Sequence, residues 1–155
     1  MIRREGNIEM EKIKAIFITV FGALFSWLGI LAIPVLLLVG MNIIDYGTGL
    51  TAAKYREQKV TSYRSIRGIY KKVFMWVLII IGWVMDILIN YTVQYMGLGI
   101  KIPFIVATVV TVWLICNEVI STLENLIDIG VDIPPFLMPI VKLIKGQVED
   151  KAKIN

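Results

Sequence analysis

Apolar residues run almost unbroken from Ala15 to about Ala53, again from Val73 to Tyr95, and a third time from Ile102 to Cys116. Polar residues gather between and at the ends of these tracts. Runs of this length predict helices lying in a bilayer. The first tract as one helix would span roughly 58 Å at about 1.5 Å per residue, nearly twice a hydrocarbon core of about 30 Å. Gly29 and Pro34 are the expected break, because an interior proline removes a hydrogen bond and clashes with the preceding turn. Two short spans, about Ile16–Ile33 and Pro34–Ala53, are therefore expected as a tight hairpin. The alternative is one tilted span, about Ala15–Met41, with the Asp45 region at the interface.

Residues 54–72 read as a polar loop carrying Lys54, Arg56, Lys59, Arg64, Arg67, Lys71 and Lys72 against the single acid Glu57. Such a cluster beside spans stays cytoplasmic under the positive-inside rule and contacts anionic lipid. It has little aromatic interleaving, so a nucleic-acid partner is not expected. Trp76 near one end of the next span and Tyr91 and Tyr95 near the other match an aromatic belt. The turn Met96–Lys101 carries one basic residue and is expected outside. The last span is expected to start at Pro103, to run through Cys116 into a polar end at Asn117–Asp128, and to stop at Gly130. Prolines 134, 135 and 139 are expected to hold an extended segment. The tail from Lys142 reads as a short helix or a flexible end. Arg3, Arg4, Lys12 and Lys14 favour an inside amino terminus, which requires an even number of spans before the basic segment. The division is thus 1–14 cytoplasmic, 15–140 membrane domain, and 141–155 cytoplasmic tail.

Composition agrees. Charged residues make up 18% and hydrophobic residues 57%, with mean hydropathy +0.77; a soluble chain has about 25% and 45–50%. The fold class is all-α, an integral membrane protein with three to four transmembrane helices. Histidine is absent and Cys116 stands alone. That argues against zinc chemistry, His-assisted nucleophilic catalysis and disulfide exchange. No cofactor-binding fingerprint is present, and no catalytic or metal site is expected.

The carboxylates carry the functional signal, since an ionisable group in a span is costly. Asn117, Ser121, Glu124 and Asp128 fall at i, i+4, i+7 and i+11, one helical face, with Glu118 and Asn125 beside it. That face lines a lumen, binds a partner helix, or simply emerges at the interface. Asn42, Asp45 and Gly49 share a side of the second segment. Asp45 needs water or a basic partner, for which Lys72 and Arg67 are candidates. Asp86 lies deep in its span, on a face with Gly82 and Asn90.

These residues also carry a family likeness. Asp45-Tyr46-Gly47-Thr48-Gly49, then Ser65-Ile66-Arg67-Gly68-Ile69-Tyr70-Lys71-Lys72, Asp86, Asn117-Glu118-x-x-Ser121-x-x-Glu124-Asn125 and Gly130-Val131-x-Ile133-Pro134 resemble the phage-lysis and toxin-secretion holins of Gram-positive bacteria and their phages. The likeness covers roughly residues 34–140; Gly47 departs from it, where a larger apolar residue is expected. The resemblance implies a non-enzymatic pore-former of the bacterial cytoplasmic membrane that homo-oligomerises and releases an endolysin or a protein toxin. Asp45, Thr48, Gly49, Asp86, Asn117, Glu118, Ser121, Glu124 and Asn125 are then the candidates for oligomer contacts or a lumen. The rival readings are an antiholin that restrains a pore-former, and a small transporter or channel using Asp45, Asp86 and Glu118 as relay groups.

Overall fold

The computed structural model describes residues 2–56 and 62–152. Its elements are α1 (Ile2–Leu28), a 3₁₀ turn (Gly29–Leu31), α2 (Ala32–Tyr55), α3 (Ser62–Tyr95), α4 (Ile105–Ile129) and α5 (Leu137–Ala152). The tracts Glu9–Tyr55, Ile66–Tyr95 and Ile105–Ile129 are long and apolar enough to cross a membrane. The all-helical architecture expected from the hydrophobic pattern is therefore the one observed.

Helices α2, α3 and α4 form the bundle, with α4 in contact with α2, α3 and α5. Leu38, Met75, Ile79 and Leu114 meet at its centre, flanked by Trp76, Val110 and Trp113. Outside that centre the helices show Ile, Leu, Val and Phe. An apolar exterior around a small polar-bearing interior is the arrangement that suits lipid as solvent.

Four local expectations are corrected. The two halves of the first tract do not pack as a hairpin. Gly29 takes φ +52° at the turn, and α1, exposed from Glu9 to Trp27, makes almost no contact with α2. Among the described residues, its ring contact outside the helix is Trp27 against Trp83 of α3, with centroids 5.6 Å apart. Gly29 and Pro34 thus interrupt the helix, and the two halves do not lie against each other. The basic segment 54–72 is mostly helical rather than a loop: Lys54 lies in the last turn of α2, and residues 62–72 are the first turns of α3. Lys and Arg are good helix formers, so a polar run need not be a loop. Pro103 precedes α4 rather than starting it, and Pro139 lies inside the first turn of α5, where its missing N–H costs nothing. Pro134 and Pro135 do stay outside the helices, as expected.

Helix ends follow from glycine. Gly130, at φ +90°, ends α4; its N–H donates to Ile127 O (2.9 Å) and that of Val131 to Leu126 O (3.0 Å). Gly97, at φ +72°, ends α3 in the same way.

The start of α4 is held by α3. Phe104 offers α4 no side-chain cap, and the first amides of a helix lack intrahelical partners. Asp86 supplies them: Val106 N–H donates to Oδ1 and Ala107 N–H to Oδ2, both at 2.9 Å. Its carboxylate is 1% exposed. One turn on, Asn90 donates to Ile102 O (2.7 Å) and accepts from Ile102 N–H (2.8 Å). One turn back, Gly82 lets the backbones touch; a Cβ there would lie 3.0 Å from Ala107 Cα. The Gly82–Asp86–Asn90 face is thus a docking strip for the α4 amino terminus.

Asp86→Leu leaves two buried amides without acceptors and should cost about 1–3 kcal/mol, whereas Asp86→Asn keeps one acceptor oxygen and should cost less. Gly82→Ala overpacks the contact and should cost roughly 1–3 kcal/mol. Thermal unfolding in detergent reads all three; wild-type transitions for Asp86→Leu and Gly82→Ala together would show that the strip does not hold α4.

Candidate functional site

The last turns of α2, the third turn of α3 and the carboxyl-terminal half of α4 bring a chain of charged and amide side chains together. Lys72 is its centre. Its ammonium donates to Asp45 Oδ2 (2.9 Å), to Asn42 Oδ1 (3.4 Å), and closely to Glu118 Oε2. The three ionic side chains are only 17% (Lys72), 15% (Asp45) and 5% (Glu118) exposed. Asn42 and Asp45 share a face of α2, so one cation can answer both while reaching across to α4.

The chain continues toward the α2 carboxyl terminus. Asn125 donates from Nδ2 to Asp45 Oδ1 (3.2 Å) and Thr48 Oγ1 (3.4 Å), and its Oδ1 accepts from Arg56 (3.4 Å). Arg56 also pairs closely with Asp128. A Cβ on Gly49 would sit 3.5 Å from Asn125 Nδ2, so the small residue leaves room for the amide. Formally, Lys72 and Arg56 face Asp45, Glu118 and Asp128. Each carboxylate has a cationic partner, Lys72 serving both of the more buried ones, Asp45 and Glu118, as groups away from water need.

The Asn117–Asp128 segment therefore presents two polar faces rather than one. Glu118, Thr122 and Asn125 are buried, and Glu118 and Asn125 reach toward α2. Asn117, Ser121 and Glu124 turn instead into a groove of about 820 Å³ between α3 and α4, beside Lys71 and Leu114. Asp86 is separate from both, at the other end of α4. Of the basic residues read as lipid contacts, Arg56 and Lys72 point into the ion-pair chain, while Lys54, Arg67 and Lys71 stay exposed. Lys59 and the side chain of Arg64 lie outside the described residues.

Sequence reasoning passed over Thr122, whose buried hydroxyl has no hydrogen-bond partner among the described residues. The signal was there: 118, 122 and 125 repeat the i, i+4, i+7 spacing of 117, 121 and 124, one residue on. It also passed over Trp113, which donates to Glu149 of α5 (2.7 Å). No local pattern marks that pair.

This arrangement holds no nucleophile poised beside a base. It is a ladder of ion pairs and amides that fastens three helices in a low-dielectric setting, and it opens only if several charges find other partners together.

A model of the bacteriophage holin family matches residues 22–146. An uncharacterized protein of Halalkalibacterium halodurans is 31% identical over 110 residues, 71% of this chain and 76% of its own length. An uncharacterized protein of Clostridium perfringens is 28% identical over 92% of this chain and 96% of its own. One from Listeria monocytogenes is 29% identical over 93% and 96%. No solved structure matches the chain.

Removing the central cation should strand two carboxylates. Lys72→Met is expected to destabilise the bundle by about 3–5 kcal/mol, read as a lowered unfolding temperature in detergent. Adding Asp45→Asn and Glu118→Gln should recover most of the loss, because neutral amides replace the stranded charges. A Lys72→Met protein as stable as the wild type would mean that the ladder does not fasten the helices.

Proposed function

The chain belongs to the bacteriophage holin family, and from that premise we propose that it oligomerises in the bacterial cytoplasmic membrane and opens lesions through which an endolysin or a protein toxin passes. The observation that carries this reading is the second polar face of α4. Asn117, Ser121 and Glu124 lie on a candidate membrane span, and their side chains make no hydrogen bond or ion pair with any described residue. A polar stripe left unsatisfied on a span needs a neighbouring helix or water. A ring of copies supplies the first, and an open lesion supplies the second. The ladder on the neighbouring face is satisfied within one protomer, so it suits rigidity better than ion relay. That counts against the transporter reading.

The proposed protein is not an enzyme. Its work would be mechanical: helices that pack one way in lipid and another way around water. The proposed topology puts the basic ends of α2 and α3 in the cytoplasm with the 141–155 tail, and the turn after α3 outside. The membrane domain is then residues 15–140.

Induced expression in bacteria should collapse the membrane potential abruptly after a lag and release a cytoplasmic hydrolase. The flux should be non-selective; a saturable, ion-selective current would point to a transporter. If protein detectable in the membrane leaves potential and viability untouched, the pore-forming reading fails for this chain, and an antiholin role takes its place.

A further inference from the structure

The groove that takes Asn117, Ser121 and Glu124 does not end with them. Leu78 and Trp113 line it, and the same two residues line a second hollow of about 460 Å³ further along the α3–α4 seam. Ile81, Gly82, Met85, Val106, Val109 and Val110 wall that second stretch. Glu149 of α5 also borders it, with its carboxylate accepting from Trp113 Nε1–H at 2.7 Å. The seam is therefore one trough, polar in its wide part and apolar beyond Trp113.

Helix register puts its chemistry in order. Helices α3 and α4 run antiparallel, with Gly82 against Ala107 and Lys72 against Glu118. Along α4 the trough meets three valines, then Trp113, then the amide of Asn117 and the hydroxyl of Ser121, and last the carboxylate of Glu124. Lys71 of α3 and Lys145 of α5 border the polar part. The Lys145 ammonium lies 5.2 Å from the Trp113 ring centre and 3.9 Å from Glu149, longer than a hydrogen bond. Among the described residues Lys71 and Glu124 have no ion-pair partner, although both lie on candidate spans. Glu118, the other acid of the lining, is already answered by Lys72. Two cations and one carboxylate thus face an occupant. Length selects its size: from Lys71 to Met85 the α3 wall runs roughly 21 Å at about 1.5 Å per residue, one leaflet of a bilayer about 40–45 Å thick with its headgroups. Apolar wall, then cations with amide and hydroxyl, then carboxylate is the order of acyl chain, phosphodiester and ammonium in an aminophospholipid. A soluble phosphate would leave the apolar stretch empty, and a purely anionic headgroup would meet Glu124.

We propose that the α3–α4 trough binds one glycerophospholipid whose headgroup ends in a primary ammonium, the phosphatidylethanolamine class. Its phosphate sits between Lys71 and Lys145 with Asn117 and Ser121 as donors, and its ammonium reaches Glu124. An acyl chain follows the valine wall toward Met85. The lipid gives the α4 stripe partners within a single copy, and the site stands whether or not the chain opens lesions.

The test offers full-length protein in mild detergent an equimolar mixture of phosphatidylethanolamine, phosphatidylglycerol and phosphatidylcholine with identical acyl chains. Native mass spectrometry counts the lipid that stays bound. The wild type should keep phosphatidylethanolamine over phosphatidylcholine by about tenfold, the ratio that one charge-assisted hydrogen bond makes, because choline has no N–H to give Glu124. Glu124→Gln should erase that preference and leave phosphatidylcholine retention unchanged. Lys71→Met should lower retention of all three lipids about tenfold, whereas Lys54→Met, exposed on α2 and outside the trough, should not. Leu78→Trp, at the junction of the two stretches, should displace the acyl chain and lower retention likewise. Lys71 and Glu124 are exposed, so their variants keep the fold and read the site even where Leu78→Trp does not. Equal retention of the three lipids by the wild type, a preference that survives Glu124→Gln, or an equal loss from Lys71→Met and Lys54→Met overturns the site. Preferred phosphatidylglycerol overturns it too, since the basic surface alone would then be the lipid contact. No bound lipid, with dimers that Lys71→Met dissolves, would give the trough to a second copy instead. Binding is counted with no membrane to permeabilise, so lesion formation has no bearing on the result.

Discussion

Lys72 stands between Asp45 of α2 and Glu118 of α4, and that three-way ion pair sets how the bundle is put together. Three mostly apolar helices in lipid have little hydrophobic reason to choose one rotation over another, because tails and side chains are alike in polarity. A cation reaching from α3 to carboxylates on both neighbours removes that freedom. It fixes which face of each helix turns inward, and Asn125 and Arg56 extend the same register toward the end of α2. At the other end of α4, Asp86 and Asn90 do the corresponding work on backbone groups.

With both ends of α4 fastened, its remaining polar residues are left in view. Glu118 and Asn125 are spent on bonds inside the protomer, and the Asn117–Ser121–Glu124 face opens into the groove against α3. These two faces differ by one residue in sequence, about 100° around the helix. One therefore belongs to the fold, and the other is free for the proposed assembly. The same division explains the apolar exterior: the surface outside the bundle has lipid to meet, and α1 in particular is exposed from Glu9 to Trp27, with Trp27 against Trp83 its ring contact to another helix among the described residues.

Hydrophobic tracts, helix stops at glycine, the all-helical class and the family likeness were legible in the sequence, because each depends on composition or on a motif of a few neighbouring residues. So was the Gly82–Asp86–Asn90 face, since the helical period alone puts those residues together. The sequence also named Lys72 as a candidate for Asp45. What it left open was the choice between Lys72 and Arg67, and the fact that Glu118 shares the same ammonium.

Those matters only the tertiary structure decided. Pairing depends on how far one helix is rotated and shifted against another, and no local pattern carries that quantity. The first tract breaks at Gly29 as its length requires, yet whether the halves then pack together is a tertiary matter, and they make almost no contact. The basic segment looked like a loop because charge and helicity are independent properties of lysine and arginine. The docking of α5 on α4 was hidden for the same reason: no local pattern joins Trp113 to Glu149, thirty-six residues on. Hydropathy and helical period belong to each segment by itself, whereas the ion-pair ladder and the α3–α4 groove exist only where segments meet.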